Sequence, residues 1–368
     1  MGPSPPADMR SDRPSRLLRN AAKLALGFAA TLAALEIGLR VWDATHGDSP
    51  GLRAVRKLEA VSQYAPHPFL GYELTRGGEV NSLGMRGPEV AAQKAPGVFR
   101  IVCVGGSTTF GAGVPSERSY PARLEVALNE LAPSGVRFQV LNCGVPGYTS
   151  VESLIQLELR LLDLDPDVVL SYDAINDAYL VQGRGFRADY THARVPWRDP
   201  RGQVSALESW LIAHVRTWAW ASSLLGRGFA SLRLENLVFV EGYKEVLTPA
   251  LEEVNQAGVA SFLRNLRNLI AVARENGVQV GLMTFATSNQ ADVETGDYQP
   301  CIDAMNAGLR ALASEEAVPI FDVQAAVGGV KENFWDVVHC NEQGCERQAR
   351  AIAEQALAQG LWGLDGSK

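Results

Sequence analysis

The sequence lacks a basic excess, internal repeats and long low-complexity tracts. Its 34 Lys and Arg residues are outnumbered by 41 Asp and Glu residues, which gives a net charge of −7. Nucleic-acid-binding domains usually present a basic face, so this balance argues against a nucleic-acid partner. The absence of a repeating period argues against solenoids and propellers. What is present is a globular composition, with 46% hydrophobic and 20% charged residues in a chain of 368.

Motifs for metals and nucleotides are also missing. No HExxH or CxxC pattern occurs among the five histidines and five cysteines. The stretch VCVGGSTTFGAGV (102–114) has Gly106 and Gly111 at phosphate-loop spacing, but Ala112 stands where the lysine belongs. The dinucleotide pattern GxGxxG is absent, and Thr109 occupies the final glycine position of the nucleophile elbow GxSxG. We therefore expect no metal and no cofactor.

The N-terminal segment differs in composition from the rest of the chain. Residues 1–15 are rich in Pro, Ser and charge and are expected to be disordered. Basic residues then precede the uncharged stretch LALGFAATLAAL (24–35). We expect a membrane anchor over 16–42, with Glu36 on a protected face or near the boundary and Trp42 at interface depth. A cleaved signal peptide and an amphipathic packing helix remain alternatives.

Either membrane interpretation predicts the same topology. The basic flank stays in the cytoplasm and the body of the protein is extracytoplasmic. That compartment is the periplasm in a Gram-negative cell, and the protein is secreted if the segment is cleaved. The sequence leaves the oligomeric state open.

From about residue 98, short apolar runs alternate with amphipathic stretches, which predict strands and helices respectively. The strands are expected at 99–105, 136–142, 168–172, 278–285 and 318–323. The helices are expected at 120–132, 149–164, 259–276, about 301–315 and 341–359. This order predicts an α/β fold with a parallel sheet covered on both faces. Function in such folds gathers at the carboxyl ends of the strands.

A long insertion, 179–247, interrupts this alternation. It contains one expected helix, ALESWLIAHVRTWAWASSLL (206–225). The insertion carries four tryptophans, of which Trp197 precedes this helix and Trp210, Trp218 and Trp220 lie within it. These rings line a substrate cleft, touch the membrane or bury a small core of the insertion itself. The residues alone leave the three alternatives open.

Polar groups follow four of the expected strands. Ser107 follows the first, Gly144 in NCGVPGYTS the second, Asn176 in YDAINDAY the third, and the segment DVVH that ends at His339 the last. A serine nucleophile needs a base, a group to orient that base, and N–H donors for the oxyanion. Because the carboxyl ends of parallel strands share one edge of a sheet, we expect these groups to gather there.

The DxxH spacing is not selective by itself, because it occurs three times in the chain. The pairs are Asp43 with His46, Asp189 with His192, and Asp336 with His339. Position favours the third pair, since His46 adjoins the apolar segment and His192 lies in the insertion.

The ordered set of Ser107, Gly144, Asn176 and His339, with Asp336 three residues before the histidine, resembles the SGNH (GDSL-type) hydrolase family. The resemblance implies a flavodoxin-like three-layer α/β/α sandwich and a serine esterase. It implies that Ser107 is the nucleophile, His339 the general base and Asp336 the group that orients the imidazole. The Ser107 and Gly144 N–H groups and the Asn176 side chain would form the oxyanion hole.

The resemblance also sets the expected boundaries, with a pre-domain segment at 43–97 and the hydrolase domain at 98–362. HPFLGYEL (67–74) and VNSLGMRGPE (80–89) resemble the segment that precedes the catalytic domain in a bacterial, membrane-anchored subgroup. Arg86 in that segment is expected either to contact an anionic substrate or to pair with a carboxylate and fix the segment.

Two positions depart from the family pattern. The GDS motif reads Gly105-Gly106-Ser107, and the GxND motif reads Ala174-Ile175-Asn176-Asp177. Both changes keep the catalytic groups but reshape the pocket. The expected function is hydrolysis of carboxylic esters, including acetyl or glycan O-acyl esters, with a small-molecule or glycan ester as substrate. The alternatives are an O-acyltransferase acting on cell-surface glycans and a non-catalytic binding module.

The five cysteines form an odd set without metal-type pairs. Cys103 lies in an apolar run and is expected to be a buried thiol. A bridge from Cys301 to Cys340 or Cys345 would brace the His339 loop.

Overall fold

The structure is a computed structural model that describes residues 16–47, 49–183, 185–193, 205–225, 253–288 and 298–364. The tail expected to be disordered (1–15) and Trp197 lie outside the described residues. The chain forms two compact units. The first comprises Met1–Val61 and Asp199–Leu234, and the second comprises Ser62–Arg198 and Glu235–Lys368.

The strands, in chain order, are β1 (Tyr64–His67), β2 (Gly71–Leu74), β3 (Val98–Gly105), β4 (Arg137–Asn142), β5 (Val168–Tyr172), β6 (Gln279–Met283) and β7 (Ile320–Phe321). The α-helices are α1 (Arg16–Thr45), α2 (Pro50–Ser62), α3 (Ser107–Phe110), α4 (Tyr120–Leu131), α5 (Ser150–Gln156), α6 (Ile175–Val181), α7 (Ala206–His214), α8 (Arg216–Leu225), α9 (Gln256–Glu275), α10 (Gln299–Glu315), α11 (Val323–Val327) and α12 (Glu342–Ala358).

The second unit is built on a five-stranded sheet with the order β4-β3-β5-β6-β7. All four strand pairs are parallel, for example with Cys103 opposite Leu170. This is the flavodoxin-like order, in which the chain reverses direction across the sheet between β3 and β5. The predicted α/β fold is therefore confirmed, and the switch point singles out the loops after β3 and β5 as the place for a ligand.

Helices cover both faces of this sheet, because strands that are apolar on both sides must be buried on both sides. β5 is buried at every position. On one face α4 packs against α12, and on the other α9 packs against α5 and α10. Most of the expected strand and helix boundaries lie within about two residues of the observed ones, which is the ordinary precision of such boundaries.

One predicted helix, 149–164, changes its hydrogen-bonding pattern along its length. It begins at Thr149, whose side chain forms a capping box with Glu152. Only α5 is regular α-helix, and a π turn (Leu157–Leu161) and a 3₁₀ turn (Leu162–Leu164) follow it. The segment ends at Asp165, which adopts a left-handed conformation with φ 51° before Pro166. Hydrophobic periodicity does not distinguish these helix types, because their side-chain faces are similar over one turn.

The first unit contains α1, α2, α7 and α8. The single helix predicted over 206–225 is wrong, since Val215 is extended (φ −115°, ψ 101°) and separates α7 from α8. α1 extends three residues beyond the predicted end at Trp42. Its residues Leu18–Thr45 are long and apolar enough to cross a membrane, a criterion that a signal sequence also meets.

All five cysteines are free and buried. Cys103 is the buried thiol that was expected, with no exposed surface. The suggested bridge from Cys301 to Cys340 or Cys345 is absent. Burial raises the pKa of Cys301 and of Cys345 to about 12, so both thiols are protonated and unreactive at neutral pH.

Candidate active site

Ser107 is the first residue of α3 and lies immediately beyond the end of β3. The turn between them needs Gly105, which has φ 149°. A Cβ atom at this position would lie 2.5 Å from the Tyr172 carbonyl oxygen of β5. The first N–H groups of a helix have no acceptor within the helix, so the Ser107 N–H, just beyond the carboxyl end of β3, is not used by α3 itself.

His339 and Asp336 meet Ser107 at this edge. His339 Nε2 lies 2.8 Å from Ser107 Oγ, and His339 Nδ1 lies 2.6 Å from Asp336 Oδ2. The other carboxylate oxygen, Asp336 Oδ1, accepts the backbone N–H groups of Val338 (2.8 Å) and His339 (2.7 Å). The three side chains therefore form a continuous hydrogen-bonded chain from carboxylate to hydroxyl.

The other two DxxH sequences do not form Asp–His pairs. The Asp43 carboxylate accepts the Ser49 hydroxyl, and His46 contacts Thr45 and Trp42 instead. The Asp189 carboxylate accepts two groups of Thr191, and His192 Nε2 lies 2.9 Å from the Leu180 carbonyl. Position in the fold, and not spacing, distinguishes Asp336 and His339.

The surroundings of Asp336 keep it ionised. Burial on its own raises the pKa of the carboxyl, but the hydrogen bond from His339, the charge of that ring and two backbone N–H groups outweigh it. The pKa of Asp336 is therefore below its ordinary value. An ionised carboxylate at Nδ1 favours the tautomer that leaves Nε2 unprotonated and able to accept the Ser107 proton.

Gly144 and Asn176, the two expected oxyanion donors besides Ser107, both lie close to α3 or to the turn that precedes it. A Cβ atom at Gly144 would lie 2.3 Å from the Phe110 nitrogen, so the Gly144 backbone packs directly on α3. The Gly144 N–H donates to Asn142 Oδ1 (3.1 Å), and Asn176 Nδ2 donates to the Tyr148 carbonyl (2.7 Å). An amide NH₂ has two N–H groups, so Asn176 keeps a second donor.

The two departures from the family pattern have local consequences. A Cβ atom at Gly106 would lie 2.5 Å from Asn176 Nδ2, so the missing side chain leaves the space that the Asn176 amide occupies. Ala174 has φ 174°, which is extended backbone that any residue adopts, so alanine in place of glycine causes no strain in φ. The amide of Asn176 thus packs directly on Gly106, the residue that precedes Ser107.

Arg86 has the second of its two expected roles. Its guanidinium donates to Glu79 (2.6 Å) and to the carbonyl oxygens of Phe110, Gly111 and Val114, each at 2.7 Å. The guanidinium carbon also lies 4.3 Å from the Phe110 ring centroid. Arg86 is buried and fixes the loop that leaves α3, and its donors are used within the protein.

The β1–β2 hairpin also supports the site. The Tyr72 hydroxyl of β2 donates to the Pro146 carbonyl, and the Tyr148 hydroxyl donates to the Tyr72 carbonyl, each at 2.5 Å. The Tyr148 carbonyl in turn accepts Asn176 Nδ2. Residues 62–97 therefore belong to the compact unit that carries Ser107, and they brace two of its loops.

Trp335 is a site residue that the sequence analysis missed. Its ring stacks on His339, with centroids 5.3 Å apart and planes 15° apart, and its Nε1 donates to the Ala112 carbonyl (2.9 Å). More than half of its surface, 55%, remains exposed. Its position directly before Asp336 was the available signal.

A second carboxylate group, Asp173 and Asp177, was also missed as a pair. Asp173 accepts the hydroxyls of Ser153 and Ser171, and Asp177 accepts those of Ser150 and Tyr190. Burial, followed by the charge of Asp177, raises the pKa of Asp173 to about 7. Burial also raises the pKa of Asp177, to about 6. Within the described residues, no group of three or more His, Cys, Asp or Glu is placed to hold a metal.

No curated protein sequence matches this chain. The profile of the GDSL-like lipase/acylhydrolase family matches residues 103–347. Among solved structures, it is similar to a GDSL-like lipase from Bacteroides thetaiotaomicron VPI-5482, with 16% identity over 71% of this chain and 89% of that chain and a TM-score of 0.40.

It is also similar to a catalytic mutant of Axe2, an acetylxylan esterase from Geobacillus stearothermophilus, with 16% identity over 70% of this chain and 93% of that chain and a TM-score of 0.42. LAE5, an α/β hydrolase from the metagenome of Lake Arreo, is 16% identical over 70% of this chain and 94% of that chain, with a TM-score of 0.42.

The sheet order and the family match together define a hydrolase that acts on ester bonds. The chain belongs to the GDSL-like lipase/acylhydrolase family, whose profile covers most of its length.

Proposed function

We propose that this chain is a serine esterase in which Ser107 is the nucleophile, His339 the general base and Asp336 the residue that orients the imidazole. One observation carries the proposal. A single hydrogen-bonded chain runs from Asp336 Oδ2 through both nitrogens of His339 to Ser107 Oγ, with links of 2.6 and 2.8 Å. Hydrogen-bond reach between nucleophile and base, with the base oriented by a third group, is the requirement for an activated serine.

The proposed reaction has two halves. His339 Nε2 takes the Ser107 proton as Oγ attacks the carbonyl carbon of the ester, and the carbonyl oxygen becomes an oxyanion. The imidazolium then gives its proton to the alcohol oxygen as the bond from carbonyl carbon to alcohol oxygen breaks, which leaves an acyl-serine. A water molecule, deprotonated by His339, attacks the acyl carbon, and the acid leaves as Ser107 Oγ regains the proton.

The oxyanion would be held by the N–H groups of Ser107 and Gly144 and by the Asn176 side chain. The Gly144 N–H already donates to Asn142 Oδ1, so the oxyanion must compete with that amide oxygen. A full negative charge is the stronger acceptor, since charge-assisted hydrogen bonds are about twice as strong as neutral ones. We therefore expect the Gly144 N–H to turn to the oxyanion when charge develops.

The experiment is labelling of the purified full chain by a fluorophosphonate probe. Wild-type protein is expected to form a covalent adduct, and Ser107→Ala and His339→Ala are expected to lose it. Matched controls are Ser134→Ala, at an exposed loop serine, and His192→Ala, in the DxxH sequence that forms no Asp–His pair. Labelling that persists in Ser107→Ala, or a folded wild type that is not labelled, would contradict the assignment.

The acyl acceptor is tested separately. The exposed face of Trp335, next to His339, offers a flat apolar surface that suits an acyl chain or a sugar ring. Product analysis of an acetylated-sugar substrate, with and without a second sugar, distinguishes hydrolysis from transfer to a glycan hydroxyl. Free acid as the product in both reactions supports the esterase, and acylated second sugar identifies an O-acyltransferase.

We further propose that residues 16–42 anchor the protein in a membrane and that the hydrolase domain (98–362), with its pre-domain segment (43–97), is extracytoplasmic. The supporting observations are the long apolar helix α1 and the basic residues at its N-terminal end, which favour a cytoplasmic N-terminus. Protease protection of the full chain in cells tests this topology. Digestion of the C-terminal unit from the cytoplasmic side would contradict it.

A further inference from the structure

The C-terminal half of α1 has one face that packs within its unit. Glu36, Leu39 and Asp43 lie on that face at helical spacing and are less exposed than their neighbours. The Glu36 carboxylate accepts the backbone N–H groups of Arg216 and Thr217, the first residues of α8, each at 2.8 Å. A carboxylate at a helix N-terminus satisfies free N–H groups and interacts favourably with the helix dipole. The one acid in the apolar part of α1 thus has a defined partner.

Arg40 and Asp43 of α1 also hold the corner between α7 and α8. Arg40 pairs with Glu36 (2.8 Å) and donates to the His214 carbonyl at the end of α7 (2.7 Å). Asp43 lies 2.9 Å from Arg216 Nε and accepts the Trp220 Nε1 proton at 3.2 Å. The α7–α8 hairpin (206–225) is therefore fixed to α1 by both acidic and basic side chains of α1.

The outward face of α7 is apolar. Ala206, Leu207, Trp210 and Ala213 are exposed at i, i+1, i+4 and i+7 spacing, whereas Glu208 is only partly exposed. A helix on the surface of a water-soluble domain has the opposite arrangement, with its charged face outward. On α8, Trp218, Leu224 and Leu225 are exposed as well. Several large apolar side chains exposed on two helices that pack against each other indicate an interaction site.

The level of the hairpin along α1 indicates which partner fits. Eighteen residues separate Leu18 from Glu36, or about 27 Å at ~1.5 Å per residue, close to the ~30 Å thickness of the hydrocarbon core. Glu36 is also the first charged residue after the uncharged stretch 24–35. A hairpin fixed at Glu36 lies where a spanning helix leaves the hydrocarbon, the depth at which tryptophan is enriched.

We propose that the α7–α8 hairpin is a second membrane-binding element, which lies in the lipid interface with its apolar face (Leu207, Trp210, Trp218 and Leu225) toward the acyl chains. The inference rests on the proposed membrane anchoring by α1. The chain is then attached to the bilayer by one spanning helix and by a surface hairpin fixed to it. Amphipathic helices bind at this depth through their buried apolar area.

Spin labelling of the full chain in phosphatidylcholine–phosphatidylglycerol vesicles tests the proposal. Labels are placed at Leu207→Cys and Leu225→Cys, with Val126→Cys on α4 as the control at a solvent-exposed residue of the other unit. All five native cysteines are buried, so the introduced thiols react preferentially. Oxygen partitions into lipid and a nickel chelate stays in water. We expect the ratio of oxygen to nickel accessibility to be several-fold higher at residues 207 and 225 than at 126.

Two results would overturn the proposal. Nickel accessibility at 207 and 225 equal to that at 126 would mean that the hairpin lies in water. Low accessibility to both reagents would mean that protein covers the face, either a second copy or another part of the chain. Phe28→Cys on α1 separates this failure from failure of the anchor, because a lipid signature at 28 with an aqueous one at 207 removes only the hairpin proposal.

A substitution at Glu36 provides a second test. Glu36→Leu makes α1 more apolar but removes the acceptor for the α8 N-terminus. We expect the label at Phe28→Cys to keep its lipid signature, while nickel accessibility at Leu207→Cys rises several-fold. Unchanged accessibility at 207 would show that Glu36 does not fix the hairpin. Fluorophosphonate labelling of each variant reports whether the hydrolase unit is folded.

Discussion

Asp336 and the pair formed by Asp173 and Asp177 lie at the same edge of the sheet and differ in charge. Asp336 is partly buried and its pKa is lowered, whereas Asp173 and Asp177 are fully buried and their pKa values are raised, to about 7 and about 6. Asp336 accepts two backbone N–H groups and faces an imidazole. Asp173 accepts two hydroxyls and faces another acid, and Asp177 accepts one backbone N–H and two hydroxyls.

The difference shows that the partners of an acid decide its charge as much as burial does. Two backbone N–H groups and an imidazole stabilise the anion at Asp336, while the hydroxyls and the neighbouring carboxyl at Asp173 compensate only part of the cost of desolvation. One acid is therefore suited to orient a base, and the other two are suited to hold α5 and β5 together as protonated or partly protonated groups.

The largest expected effect on activity comes from removing the charge of Asp336. Asp336→Asn should lower kcat/KM for an ester by about 10³- to 10⁴-fold, because the amide no longer favours the Nδ1–H tautomer of His339. Steady-state hydrolysis of a chromogenic acetyl ester measures the loss.

Asp173→Asn is the matched control, since it makes the same chemical change at the same sheet edge without contacting His339. Activity close to wild type is expected. Equal losses in the two variants would mean that Asp336 acts only through folding, and the comparison between the groups would fail.

The second prediction concerns the pH dependence of stability. Asp173 and Asp177 keep their protons in the folded state up to about pH 6–7, whereas the unfolded chain releases them near pH 4. The folded state therefore binds more protons in this interval, and the free energy of unfolding contributed by these groups falls as pH rises from about 4 to 7.

Asp173→Asn should flatten this decline, because an amide does not titrate. Thermal unfolding of the full chain between about pH 5 and pH 8 measures the slope, and the variant should gain stability relative to wild type toward pH 8. Asp336→Asn is the control, and the decline between about pH 5 and pH 7 should persist in it. A wild type whose stability rises with pH across this range would contradict the assignment.

The smallest expected effect on activity comes from Trp335, the aromatic residue next to Asp336. Trp335→Ala removes the ring that stacks on His339 and should lower kcat/KM by about 2- to 12-fold, the equivalent of one aromatic pair. Trp335→Phe keeps a stacked ring and loses the bond to Ala112, so it should retain most of the activity. Equal losses in both variants would assign the effect to that hydrogen bond.

Much of the fold was predictable, because apolar runs and helical periodicity report burial directly. β5 coincides with its predicted range, 168–172, and the boundaries of α4 and α12 agree within one residue. The pairing of Asp336 with His339, chosen from three DxxH sequences by position, was also predictable once parallel strands were expected to share an edge.

Other features depend on contacts between distant residues. After the break at Val215, α8 begins at Arg216. The N–H group of Arg216 donates to the carboxylate of Glu36, which is 180 residues away in sequence. The partners of Arg86 are carbonyl oxygens, which are the same in every sequence, so no pattern of side chains identifies them. The occupied Gly144 N–H likewise depends on the rotamer of Asn142.

The sequence by itself determined which polar side chains are available and in which order they follow the strands, since composition and periodicity are properties of the chain. The tertiary structure decided which of those residues meet, how each carboxyl is charged and which helix face remains apolar and exposed. The physical reason is that hydrogen-bond geometry and desolvation act between neighbours in space, and only folding makes residues 107 and 339 neighbours.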